Sequence, residues 1–245
     1  MRMTEPHRIA MWSGPRNLST AMMRSFGARG DCACVDEPFY AHYLIRTGLP
    51  HPVRDKVIAS QPGDWREVLP GLTTEPCGKP IQYQKHMVQH MLPDMDLSWT
   101  AMITNIFLIR EPERVAASFA AKRGLPDPDE LGFDRQWEMF QEMAARGPAP
   151  IVIDSADIRR APAPALQTLC DGIGIAFRES MLSWQPGPHP EDGVWGEVWY
   201  DAVNRSTGFA GAEGALPELG GDLARLADKL RPAYEKIAAH KLAIR

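Results

Sequence analysis

The amino-acid sequence predicts a three-layer α/β/α fold, with helices covering both faces of a central parallel sheet of about four to five strands. Two patterns predict it. Short, near-continuous apolar runs alternate with segments whose apolar residues recur every three or four positions. Polar clusters then follow several of those runs, at Arg16–Thr20, Glu37, Lys85-His86 and Arg110, and ligands of parallel sheets bind beyond the carboxyl ends of the strands.

Each element follows from its local pattern. His7-Arg8-Ile9-Ala10-Met11-Trp12 reads as a buried strand, after which Leu18, Ala21, Met22, Ser25, Phe26 and Arg29 recur at helical spacing. Cys32-Ala33-Cys34-Val35-Asp36 is a second short strand, ending at Glu37-Pro38-Phe39-Tyr40. Residues 47–78 are rich in proline, glycine and charge and read as loops, with one short helix near Trp65 to Leu69. Pro80-Ile81-Gln82-Tyr83-Gln84 is a third strand, running into Lys85-His86. Ile103 to Ile109 is the clearest strand of the chain. It stops at Arg110-Glu111, and Pro112 suits the first turn of a helix reaching to about Lys122. Phe133, Trp137, Phe140 and Met143 mark one face of a further helix, and Pro150-Ile151-Val152-Ile153-Asp154 is another buried strand. Leu166, Leu169, Cys170 and Ile173 mark a helix closed by Gly174, whereas residues 183–215 have no period. A last helix, at about 217–240, carries the stripe Leu219, Leu223, Leu226, Leu230, Tyr234 and Ile237. The chain reads as one domain over residues 1–245.

The bulk composition narrows the class. The 245 residues are 44% hydrophobic and 24% charged, as in a soluble globular protein. A net charge of −4 argues against a general nucleic-acid binder. No apolar run approaches a membrane span, and the N-terminus has no signal-peptide pattern. Four cysteines, Cys32, Cys34, Cys77 and Cys170, point to a reducing cytoplasm rather than a disulfide scaffold. Cys32-x-Cys34 lacks the second pair of a zinc site, and two alternating positions on a buried strand account for it. His86 and His90 have i, i+4 spacing, but Met87 stands where H-E-x-x-H has its glutamate, so no metal is expected.

The loop Ser13-Gly14-Pro15-Arg16-Asn17-Leu18-Ser19-Thr20 lies between the first strand and the first helix. Free backbone N–H groups at a helix N-terminus attract anions, and Arg16, Ser19 and Thr20 add a cation and two hydroxyls. Turn geometry alone would also account for Gly14 and Pro15. The loop is not a Walker A loop: Ser19 stands where its lysine belongs and Leu18 where its second glycine belongs.

These residues resemble the signatures of the sulfotransferase superfamily, whose members use 3′-phosphoadenosine 5′-phosphosulfate (PAPS). The superfamily's first signature, Pro-Lys/Arg-x-Gly-x-Ser/Thr after a strand, is similar to Pro15-Arg16-Asn17-Leu18-Ser19-Thr20. Its second, an arginine at a strand end followed by a proline and a helical serine, is similar to Arg110-Glu111-Pro112 with Ser118. Leu169 to Phe177 with Met181-Leu182-Ser183-Trp184 also resembles bacterial members, so the likeness spans about residues 7–209. Two departures stand out: Leu18 replaces a glycine, and Arg16 stands where many members have lysine.

The resemblance implies a P-loop nucleotide-binding type of fold and transfer of a sulfuryl group from PAPS, as co-substrate and without a metal, to a hydroxyl or amine. It implies that Gly14, Pro15, Arg16, Asn17, Leu18, Ser19 and Thr20 hold the 5′-phosphosulfate and that Arg110 and Ser118 hold the 3′-phosphate, with Arg205 as a further contact. Arg16 is expected to stabilise the leaving phosphate. Glu37 is the first candidate for the general base, His86 the rival, and Lys85 a contact to the transferring oxygens. A small-molecule or carbohydrate-like acceptor is expected, shaped by residues 40–78 and 183–215, with neither nucleic acid nor membrane as a partner. Other readings of the same residues are a P-loop nucleotide kinase or hydrolase, and a non-catalytic nucleotide-binding relative.

Overall fold

A computed structural model describes residues 5–244. In chain order its elements are β1 (His7–Ser13), α1 (Ser19–Gly27), β2 (Cys32–Asp36), α2 (Tyr40–Thr47), α3 (Arg54–Ser60), α4 (Trp65–Thr73), β3 (Ile81–Met87), β4 (Thr104–Ile109) and α5 (Pro112–Arg123). There follow α6 (Pro128–Leu131), α7 (Phe133–Arg146), β5 (Ile151–Asp154), α8 (Ser155–Arg160), α9 (Pro162–Gly172), α10 (Gly196–Trp199), α11 (Asp201–Asn204) and α12 (Gly221–Ala238). The strands form one parallel sheet in the order β2-β3-β1-β4-β5.

Strand alternation divides the core into two layers. Ile9, Met11, Tyr83, Ile106, Leu108 and Ile153 face α1, α2 and α9, where Met22, Phe26, Leu44 and Leu166 complete the packing. Ala10, Trp12, Phe107, Ile109 and Val152 face the other way, against Met139, Phe140 and Met143 of α7, Trp65 and Leu72 of α4, and Ile237 of α12. Burial on both faces is why these strands read as near-continuous apolar runs. A third cluster joins α5, α7 and α12 through Val115, Phe119, Phe133 and Leu230.

The topology brings the two phosphate-type signatures together. β1 and β4 are neighbours, and the chain leaves β1 toward β2 on one side but reaches β4 on the other. The loops after β1 and β4 therefore open on the crevice where the strand order reverses.

Several elements differ from the sequence pattern. The stretch read as loops, 47–78, holds α3, and α2 lies just before it, where the sequence pattern marks no element; each is only about two turns long. Neither has a side-chain cap, and Val53 enters α3 in the left-handed region, so neither announces itself by capping chemistry. α12 begins only at Gly221, after Gly220, which leaves Leu219 outside the helix. β3 continues to Met87, so Lys85 and His86 lie within the strand and point to opposite faces. His90 belongs to a short 3₁₀ turn, Val88–His90, so it and His86 do not share a helix. The four cysteines are free. Among the described residues, no helix is long and apolar enough to cross a membrane.

Candidate active site

The β1–α1 loop is held in an unusual backbone conformation. Arg16 (φ 63°) and Leu18 (φ 73°) both occupy the left-handed region, which non-glycine residues seldom enter. Leu18 stands where the resemblance places a glycine, and its backbone takes the conformation that glycine favours. Its side chain packs against the α1 face of the core, which offsets the strain. Gly14 is needed for a different reason: a Cβ there would lie 2.5 Å from the Leu131 carbonyl oxygen. Asn17 anchors the loop by donating from Nδ2 to the Leu108 carbonyl at 3.2 Å.

Arg16 and Ser118 meet directly, Arg16 Nε donating to Ser118 Oγ at 2.9 Å. Arg110 donates from Nη1 to the Arg16 carbonyl at 2.6 Å and from Nη2 to Glu213. Glu213 also accepts from Arg159 Nη1 at 2.6 Å and lies 3.5 Å from Arg114 Nε. Three guanidiniums thus converge on one carboxylate. Burial alone would raise the Glu213 pKa, but the hydrogen bond and charge of Arg110, with Arg159 and Arg114, hold it below the ordinary glutamate value. Arg16 is lowered, first by burial and then by the neighbouring charge of Arg110.

A second cluster lies at the ends of β2 and β3. Glu37 follows β2 with φ 40°, its N–H donating to the Lys85 carbonyl at 2.8 Å and its carbonyl accepting from Gln61 Nε2 at 3.0 Å. The Lys85 ammonium is buried and donates to Asp36 Oδ1 at 2.9 Å, to Glu37 Oε1, and to the Tyr200 hydroxyl at 2.8 Å. Tyr200 in turn donates to Asp36 Oδ2 at 2.7 Å and accepts from Trp195 Nε1 at 3.0 Å. Burial raises the Glu37 pKa, and the Lys85 charge only partly reverses this. For Lys85 burial acts downward, but Asp36 and Glu37 outweigh it and the ammonium is held above its ordinary value. A buried carboxyl with a raised pKa, pinned at its backbone, has the properties of a general base or acid.

Both clusters open on one cavity of about 630 Å³. Pro15 to Thr20, Arg110, Ser118 and Arg205 line one part of it, and Glu37 and Lys85 another. Arg205 is exposed at the rim, just after α11. Gly14 lies behind the loop. His86 is not at the cavity: it points to the opposite sheet face, stacked on Trp12 with centroids 4.2 Å apart and on Phe39 at 5.4 Å. Burial, with the Lys85 charge behind it, pushes its pKa down to about 3, so the ring is a neutral core group hydrogen-bonded to Gln84 at 3.1 Å. The Lys85-His86 pair is therefore split, and only Lys85 reaches the site.

Sequence reasoning missed other residues of the cavity. Tyr40, Tyr43, His51, Gln89, His90 and Arg123 line it beyond Glu37. His90 stacks between Tyr40 at 4.5 Å and Tyr43 at 4.8 Å, with its Nδ1 4.0 Å from Glu37 Oε2. Asp36 and Tyr200 were missed as partners of Lys85, and Glu213 and Arg159 as partners around Arg110. Asp36 alone had a signal, an acid closing an apolar strand. A buried fork from Arg24 of α1 to Asp192 (2.5 and 2.6 Å) and Asn204 (3.2 Å) ties the first helix to the segment that carries Tyr200.

The fold and this cavity define an α/β protein with an arginine-lined crevice at the carboxyl ends of its parallel strands. Residues 7–240 match the model of the sulfotransferase domain, and the chain belongs to that family. Three solved structures share its fold. The sulfotransferase domain of the Synechococcus PCC 7002 olefin synthase has a TM-score of 0.54 at 15% identity, covering 94% of this chain and 97% of its own. The sulfotransferase domain from the curacin biosynthetic pathway has a TM-score of 0.54 at 16% identity, covering 94% and 99%. A sulfotransferase from Alicyclobacillus acidocaldarius has a TM-score of 0.55 at 11% identity, covering 98% of both chains. Two Arabidopsis thaliana proteins are more similar in sequence. Branched-chain-amino-acid aminotransferase-like protein 1 is 38% identical over 208 residues, or 85% of this chain. Protein 2 of that name is 34% identical over 202 residues, or 82% of this chain. This chain spans only 37% and 36% of their lengths.

Proposed function

We propose that this protein transfers a sulfuryl group from PAPS to a hydroxyl or amine of a small acceptor. The observation that carries the reading is the bond between Arg16 and Ser118, which joins the loop after β1 to the helix after β4 on the cavity that also holds Glu37. In this reading the loop from Pro15 to Thr20 takes the 5′-phosphosulfate, and Arg110 and Ser118 take the 3′-phosphate. The three arginines around Glu213 support it, since they already hold an anion of the chain's own. Glu37 accepts the proton of the acceptor as the new oxygen–sulfur bond forms and the bond from sulfur to the bridging phosphate oxygen breaks. Arg16 stabilises the charge that builds on the leaving phosphate. Lys85 fixes the Glu37 carboxylate and faces the transferring oxygens.

Calorimetry with 3′-phosphoadenosine 5′-phosphate tests the donor half. Binding is expected, and Arg110→Ala is expected to weaken it about 10- to 150-fold, the equivalent of a charge-assisted hydrogen bond of ~1.5–3 kcal/mol. No binding, or binding indifferent to this substitution, removes the reading. Magnesium-dependent stabilisation by ATP instead would place the chain among nucleotide kinases or hydrolases. Glu37→Gln is expected to lower kcat about 10²- to 10⁴-fold with nucleotide affinity retained.

A further inference from the structure

The cavity beyond Glu37 holds polar atoms that the chain itself leaves unpartnered. His51 Nε2, Gln89 Oε1, His90 Nδ1 and Arg123 Nη1 are all buried without a hydrogen-bond partner among the described residues. Buried polar atoms of this kind are normally satisfied, so four around one cavity indicate a polar ligand. Their charges differ. Burial pushes His51 down to about 4, with the Arg123 charge adding to it, and holds His90 well below its ordinary value, so both rings are neutral. The Arg123 guanidinium, at the end of α5, has no ion pair among the described residues. Its Cζ lies 5.4 Å from the centre of the Trp199 ring, which leaves its N–H edges free to fork onto an anion. Glu130 also borders the cavity: its Oε2 accepts from the Asp127 N–H at 3.0 Å, and its Oε1 lies 3.8 Å from His51 Nε2, beyond hydrogen-bond reach. Tyr40, Tyr43 and His90 add flat walls.

The geometry points to an acceptor that is a small hydroxy or amino compound bearing a second, anionic group, with that anion on Arg123 and the nucleophilic group at Glu37. This rests on the sulfotransferase reading for the role of Glu37. The size limit follows from the 630 Å³ cavity, which has to take nucleotide and acceptor together. The anion is a carboxylate or a phosphomonoester, and the test separates the two.

The test measures binding to the intact protein, with and without 3′-phosphoadenosine 5′-phosphate, for matched pairs: 4-hydroxyphenylacetate against its carboxamide, and glucose 6-phosphate against glucose. At least one anionic member is expected to bind about 10- to 150-fold more tightly than its neutral partner. Arg123→Gln is expected to erase that difference, Arg123→Lys to restore part of it, and neither to change affinity for the bisphosphate nucleotide. A carboxylate source shows in the first pair and a phosphate source in the second. If no anion outbinds its neutral partner, or if the preference survives Arg123→Gln, the proposal is overturned. Because the pairs are also read without nucleotide, a protein that failed to bind the bisphosphate would remove the sulfotransferase reading and leave the Arg123 result to stand or fall by itself.

Discussion

Replacing Lys85 with methionine keeps the length of the side chain and deletes its charge. The consequence is large because nothing nearby can substitute for the ammonium. The side chains of Lys85 and Asp36 are each 1% exposed and that of Glu37 10%, so two carboxylates would be left buried side by side. The donors that remain to Asp36 are the Tyr200 hydroxyl and the Gly193 N–H. Removing one partner of such a buried pair costs about 3–5 kcal/mol. For a chain of 245 residues, at about 2–4 °C per kcal/mol, the melting temperature falls by about 6–20 °C. The pH dependence is equally specific. Lys85 is what lowers the Glu37 pKa against burial, so without it the folded-state value rises further above the ordinary 4.5. A carboxyl whose pKa is higher in the folded state destabilises the fold above its unfolded pKa. Because wild-type Glu37 is itself raised, the deficit is flat up to the wild-type folded value, grows between that and the variant's higher value at up to ~1.4 kcal/mol per pH unit for one proton, and levels off above it. Urea unfolding of both proteins at pH 5, 6, 7 and 8 measures it, and adding Glu37→Gln to Lys85→Met should recover part of the loss. A deficit below about 1 kcal/mol at pH 8, or one that is the same at pH 5, would refute the reasoning.

Three further substitutions probe the donor side. Gly14→Ala drives a methyl into the Leu131 carbonyl and should destabilise by about 1–3 kcal/mol while weakening nucleotide binding; an unchanged urea midpoint would contradict it. Leu18→Gly relieves about 1–2 kcal/mol of left-handed strain against the loss of partly buried packing. The net loss should stay within about 1 kcal/mol, well under the ~2–5 kcal/mol of an ordinary buried leucine truncation, and a larger drop would show that φ 73° carries no strain. Glu213→Gln removes the internal anion from Arg110 and Arg159. It should tighten bisphosphate binding about tenfold or more in calorimetry while lowering the melting temperature of the free protein, and weaker binding would count against a shared site.

Local patterns made much of the fold legible. Strands covered on both faces, such as Ile103 to Ile109, are apolar nearly throughout, and Pro112 marks the start of α5 as its fixed φ requires. The loop from Pro15 to Thr20 was readable because its residues are chain neighbours, and Arg110 because it closes a strand. What failed was register and distance. Reading the third strand as ending near Gln84 treated Lys85 and His86 as one cluster, whereas its continuation to Met87 sends them to opposite faces. Tyr40, His51, His90 and Arg123 come from separate segments, and only the folded chain gathers them on one cavity. Glu213 lies in a run of glycine and alanine with no periodicity, and its partner Arg110 is 103 residues away.

The fork from Arg24 has a mechanical consequence. α1 carries the nucleotide-facing loop at its N-terminus and, in its body, a guanidinium clamped on Asp192 and Asn204. Between those two partners in sequence lie Trp199, against Arg123, and Tyr200, on the Lys85 ammonium. One helix is therefore bolted to the walls of both compartments. A ligand that shifts α1 by a fraction of an ångström drags the opposite wall with it, and a ligand pressing on Trp199 pushes back on the loop. Any coupling carried by this link is reciprocal: the factor by which one ligand changes the affinity of the other is the same whichever is filled first.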